Sequence, residues 1–126
     1  MITPIYAAIL ALIFVALSIR TIRLRRSKRI GVGASNDVEM TRAMRVHANF
    51  AEYVPLALLL MFFLESLTSV EIWIHILGVI LVVGRIIHAY GVSQMNENYV
   101  FRVTGMVLTF TVIISASLRI LFFYIT

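Results

Sequence analysis

Four long apolar stretches separated by three short polar breaks make up nearly the whole chain. The breaks are GVGASND (Gly31–Asp37), Leu67–Ser69 and SQMNEN (Ser93–Asn98). Between them the pattern predicts helices over about 2–24, 38–66, 70–92 and 99–125, each long enough to cross a bilayer at ~20 residues per span. Thr3-Pro4 is a reasonable start for the first, since proline is tolerated in a first helical turn. Asn36 or Asp37 is placed to cap the second. The expected fold class is an all-α integral membrane protein, a four-transmembrane-helix bundle forming one domain over residues 1–126.

Composition agrees. The 126 residues are 61% hydrophobic and 13% charged, against about 45–50% and about 25% in ordinary soluble chains. There is no cysteine, so disulfides, thiolate metal sites and cysteine nucleophiles are excluded. Any thiol chemistry must use a thiol brought by a ligand.

The net charge of +5 is concentrated. Six of the eleven Lys and Arg fall in RTIRLRRSKR, at Arg20, Arg23, Arg25, Arg26, Lys28 and Arg29. No aromatic residue interrupts the run, so it has no stacking platform for nucleic-acid bases. Following directly on an apolar span, it reads as an anchor at the cytoplasmic membrane surface. A secretory signal carries its positive charge before the apolar run, whereas here it comes after, so the first helix is expected to be retained. The second break has neither Lys nor Arg, and four spans then put both termini outside. Arg45, Arg85 and Arg102 converge near the cytoplasmic ends of helices two, three and four.

Helix two holds the costliest residues. Ionisable groups near the centre of a span cost roughly 2.5–3.5 kcal/mol each on insertion scales and usually mark function. Arg42, Arg45, Asn49, Glu52 and Tyr53 fall within an arc of about 100°, with His47 opposite. Arg42 reads either as snorkelling to headgroups or as part of the site. Glu52, about 10 Å further along than Arg45, needs a partner, supplied by Arg45 or by an arginine of another helix. Pro55 is expected to bend the helix and shape the floor of the site. On helix three, in GRIIHAYG, Arg85 and His88 share a face. His88 is either a ligand-binding group or a satisfied interior histidine. On helix four, Arg102 shares a face with Gly105, Met106 and Thr109, and Gly105 permits close backbone approach. Arg119, Glu65 and His75 fall toward the outer side.

The three histidines lack any short ligand spacing, so no metal site is expected. No serine is expected beside a candidate base, so serine–histidine catalysis is not expected either. Several arginines, one Asn, one Glu and some Tyr suit a small zwitterion with two carboxylates and an amine. Arginines grip carboxylates, a glutamate holds the ammonium, and a spare arginine stabilises a thiolate.

The stretch RxxRxHxNxxEYxPL, Arg42 to Leu56, resembles the helix-two signature of the MAPEG superfamily, the membrane-associated proteins of eicosanoid and glutathione metabolism. GRIIHAYG resembles the helix-three motif of its bacterial branch, and length and span number agree. The resemblance implies a homotrimer with glutathione bound between subunits near the cytoplasmic side. It implies glutathione contacts at Arg45, Asn49, Glu52, Tyr53 and Arg85, with His88 where some members carry a ligand-contacting tyrosine. It implies that Arg102 stabilises the thiolate. Two positions depart from the pattern. Val103 stands where other members have a serine, and Val92 where they have a second tyrosine.

The function so read is that of a microsomal-type glutathione transferase in a bacterial inner membrane, with glutathione as co-substrate and its site facing the cytoplasm. It would conjugate glutathione to a lipophilic electrophile from the bilayer, or reduce a lipid hydroperoxide. Two alternatives stay open. One is a small four-helix proton-coupled transporter of lipophilic compounds, disfavoured because the first span lacks a glutamate and arginines crowd Glu52. The other is a glutathione-binding membrane protein without turnover.

Overall fold

The computed structural model describes all residues, Met1–Thr126, and contains four α-helices and no strand. They are α1 (Thr3–Lys28), α2 (Val38–Leu67), α3 (Glu71–Ser93) and α4 (Tyr99–Ile125). All four are long and apolar enough to cross a membrane. The Lys/Arg-rich end of α1, the α1–α2 loop and the α3–α4 loop share one end of the bundle, here termed the basic end.

Predicted and observed boundaries agree closely except at the end of α1, which continues four residues beyond Leu24. Apolarity ends at Leu24, but Arg and Lys are good helix formers, so the helix goes on into the polar zone. It stops at Arg29, whose backbone is left-handed (φ 54°) and whose N–H meets the carbonyls of Arg25 and Arg26. Asp37 caps α2, accepting from the Met40 N–H at 2.8 Å. Lys28 ties the two helix ends together by pairing with Asp37 (2.9 Å) and Glu39 (3.1 Å).

The core lies along the α2–α3 axis, where Phe50, Val54, Ala57 and Met61 meet Leu77 and Leu81, with Val112 from α4 and Leu10 from α1. α3 and α4 form the most intimate pair, and α1 and α4 do not touch. Glycine makes the α3–α4 approach possible. A Cβ on Gly105 would lie 2.7 Å from the Gly84 carbonyl oxygen and 2.8 Å from the His88 Cα. Large apolar side chains such as Leu12, Val79, Ile114 and Leu118 face outward. Such an outer surface suits lipid rather than water.

At the opposite end, Glu65 of α2 receives the backbone N–H groups of Ile2 and, at 2.9 Å, Thr3. These are orphan donors at the start of α1, so Glu65 caps a helix other than its own. Nearby, the Tyr6 hydroxyl meets His75 Nδ1 at 2.8 Å, and Arg119 lies over Trp73, 5.4 Å from the ring centre. These groups are structural ties remote from the basic end.

Candidate ligand groove at the basic end

The polar row of α2 runs down its seam with α4. Arg45 and Asn49 share a cavity of about 250 Å³ with His88 of α3 and Arg102 and Met106 of α4. A second cavity of about 340 Å³ continues it toward the loops, sharing Arg45, Val92 and Arg102 and adding Arg42, Glu97 and Tyr99. Together they make an open groove lined by three arginines. Of the seven candidate residues, Arg45, Asn49, His88 and Arg102 meet here.

Tyr53, one turn beyond Asn49, is half-buried and meets Phe110 of α4 edge-on at 5.5 Å. Glu52 is exposed on the flank of α2 and forms no ion pair within the subunit. The expected ion-pair partner from Arg45 or another helix is therefore absent from the single chain. A carboxylate exposed at this depth is costly in lipid.

Arg85 is almost completely buried, 1% exposed, and lies behind the groove rather than on its wall. Its Nη2 donates to Asn49 Oδ1 at 2.6 Å and to His88 Nδ1 at 3.3 Å, and Nη1 donates to Thr109 Oγ1 at 3.3 Å. The guanidinium also lies over the Phe50 ring at 5.6 Å. Arginine only donates, so His88 Nδ1 accepts and its proton sits on Nε2. His88 is thus satisfied on one side, while its ring lines the groove. Arg85 fixes the rotamers of Asn49 and His88 and adds an interior positive charge with no carboxylate partner.

Arg42 does not snorkel. It turns inward, and its Nη1 donates to Glu97 Oε2 at 2.7 Å and to the Val92 carbonyl at 3.1 Å. Glu97 Oε2 also accepts from Arg102 Nη2 at 2.9 Å, and Arg102 Nε lies 2.7 Å from Oε1 as an ion pair without hydrogen-bond geometry. Its side chain is only 2% exposed. Glu97 did not stand out in the sequence, because SQMNEN reads as a solvated loop. The usable signal was an acid five residues before an arginine expected in the site. Tyr99 lies beneath the Arg102 guanidinium, 5.4 Å from its ring centre. Val92 contributes a carbonyl to the Arg42 contact, and Val103 is exposed.

Two expectations need correction. A serine does sit beside a histidine, since Ser18 Oγ of α1 is 3.0 Å from His47 Nε2 of α2. The Ser18 hydroxyl donates to the Phe14 carbonyl at 2.9 Å, so it accepts from the imidazole N–H and is not activated as a nucleophile. His47 stacks on Phe14 at 4.7 Å and serves the α1–α2 contact. Pro55 also lies away from the polar site. It lines an apolar cleft of about 270 Å³ between α1 and α2, with Leu10, Phe14, Phe50 and Val54.

Chemically, the groove offers guanidinium donors for carboxylates or a thiolate, an amide side chain, and an imidazole N–H. The model of the MAPEG family matches residues 3–122. The chain is 38% identical over 92 residues to inner membrane protein YecN of Escherichia coli strain K12, spanning 72% of this chain and 70% of that protein. The same figures hold for inner membrane protein YecN of E. coli O6:H1 strain CFT073. With the four helices and the Arg42–Leu56 motif in place, the chain belongs to the MAPEG family, a membrane-protein superfamily of glutathione and eicosanoid metabolism.

Proposed function

We propose that the protein is a glutathione transferase of the bacterial inner membrane, binding glutathione in the groove at the basic end, on the cytoplasmic side. The observation that carries this reading is the convergence of Arg45, Asn49, His88 and Arg102 from three helices on one polar cavity. In the proposed complex Arg45 grips a carboxylate, the Asn49 amide and the His88 N–H hold the peptide, and Glu52 receives the ammonium. Tyr53 closes the deep end, and Arg85 supports the wall from behind. Arg102 presents Nη1, the part of its guanidinium that Glu97 leaves free, to the sulfur.

A free thiol ionises near pH 8.5, and an adjacent guanidinium favours the thiolate. The sulfur then forms a C–S bond to a lipophilic electrophile arriving from the bilayer, and the leaving group departs with the displaced electron pair. With a lipid hydroperoxide as oxidant, the thiolate attacks the terminal oxygen and releases the alcohol. A second glutathione then reduces the sulfenic acid, giving glutathione disulfide and water.

The assembly proposed is a homotrimer. Glu52 supports it, since an exposed carboxylate at membrane depth is favourable only where a neighbouring subunit or a ligand covers it. Binding without turnover is the second reading, favoured by the engagement of Arg102 with Glu97. Calorimetry of the detergent-purified protein with millimolar glutathione tests the first claim, and absence of any heat or thermal shift would sink it. Turnover of a model aryl halide separates the two readings.

A further inference from the structure

Two of the three groove arginines already hold a carboxylate, and it belongs to the protein. Glu97 Oε2 accepts from Arg42 Nη1 at 2.7 Å and from Arg102 Nη2 at 2.9 Å, and Oε1 pairs electrostatically with Arg102 Nε at 2.7 Å. An incoming carboxylate or phosphate would seek this same arrangement, since guanidinium edges match planar oxyanions. Both arginines line the cavity of about 340 Å³, with Glu97 in its wall. Glu97 lies between α3 and α4, in a segment outside both helices. One carboxylate faces two guanidiniums here, which is more positive charge than a simple tie between helices requires.

We propose that Glu97 determines the specificity of the groove: it is an internal carboxylate that fills the anion seat between Arg42 and Arg102 and keeps phosphate and other strongly anionic groups out. The groove then admits a ligand whose anionic groups are met by Arg45 and by the free Nη1 of Arg102. A thiol carrying phosphate groups is turned away, because it would place them against Glu97. The glutathione part of this claim rests on the proposed function, whereas the exclusion of phosphate does not.

The test uses purified wild type and Glu97→Gln, titrated with inorganic phosphate and separately with glutathione by calorimetry at two salt concentrations. Wild type is expected to give no phosphate response at millimolar levels. Glu97→Gln is expected to bind phosphate at least about tenfold more tightly than wild type, because it exposes two guanidiniums in a partly desolvated seat, and the gain is expected to shrink with added salt. The double variant Arg42→Gln/Glu97→Gln should lose most of the gain. If Glu97→Gln does not fold, Glu97→Asp serves instead. It keeps the charge but is one methylene too short to span both guanidiniums, and it should show the same gain at reduced size. A folded variant with a lower thermal midpoint and no added phosphate affinity would overturn the proposal, leaving Glu97 as a structural tie. Weaker glutathione binding in Glu97→Gln would overturn it too, because Glu97 would then be holding the arginines for the ligand. If wild type binds no glutathione, the functional proposal fails while the phosphate comparison still decides the role of Glu97.

Discussion

Arg102 and Arg85 both carry positive charge toward the groove, yet their environments give them different work. Arg102 is partly exposed, at the groove wall, with one edge held by Glu97. Removing it takes away a donor aimed at developing charge, and such a loss typically costs about 10²–10³-fold in turnover. Arg102→Ala is therefore expected to cut conjugation of an aryl halide by about 10²-fold, while glutathione binding by calorimetry weakens far less. Equal loss of both would mean that Arg102 only binds. In the proposed complex Arg85 would act on the ligand only through Asn49, to which it donates. Asn49→Leu would strip the buried guanidinium of its 2.6 Å acceptor. Leaving a buried polar group unsatisfied costs about 1–3 kcal/mol and more when it is charged. The thermal midpoint of Asn49→Leu in detergent should fall clearly, and Asn49→Leu/Arg85→Met should recover part of the loss, because two apolar groups satisfy each other better than one orphaned charge. A double variant less stable than the single one would refute this account of Arg85.

The helices themselves were legible because membrane helices are written in long apolar runs and their ends in caps. Asp37 is an example of a cap visible in sequence and confirmed in place. Its carboxyl is held below the ordinary carboxylate range, chiefly by the Met40 N–H and then by the Lys28 ammonium. A depressed pKa contributes stability above the unfolded-state value, and that contribution is lost as pH falls through the folded-state value. Asp37→Ala should thus lower the thermal midpoint at neutral pH, and the gap to wild type should close on acidification below the usual carboxylate range. A gap independent of pH would contradict this account. Gly105 was legible as a place for close approach, and the structure names the partners. A Cβ there meets the Gly84 carbonyl and the His88 backbone, which cannot move aside as a flexible side chain can. Gly105→Ala should force α3 and α4 apart, lower stability by about 1–3 kcal/mol, and disturb His88. Gly31→Ala, with nothing within 4 Å of the added carbon, is the matched control. The contacts that escaped sequence reading join residues on different elements. Ser18 and His47 meet across α1 and α2, and Glu97 meets Arg42 across 55 positions. Periodicity within one helix carries no information about such pairs.

At the scale of the whole molecule, α1 and α4 stay apart and the flank of α2 bearing Glu52 remains open. The sequence signalled that Glu52 needs a partner, but the partner is not on the single chain, so the site as proposed is completed from outside it. Two kinds of completion differ in what they predict. If Glu52 pairs with a neighbouring subunit only to hold the assembly, removing its charge leaves an uncompensated partner at the interface and the oligomer should weaken. If Glu52 receives the ammonium of glutathione, the interface needs it less than the ligand does. The proposed function requires the second outcome. Glu52→Gln keeps the shape and removes the charge, and the loss of a charge-assisted hydrogen bond of about 1.5–3 kcal/mol corresponds to roughly a 10–100-fold weaker affinity. Light scattering in detergent should give the same trimeric mass for Glu52→Gln as for wild type, and calorimetry should show that weakening for glutathione. Loss of the trimer with unchanged affinity in the remaining assembled fraction would assign Glu52 to the interface and remove it from the ligand site.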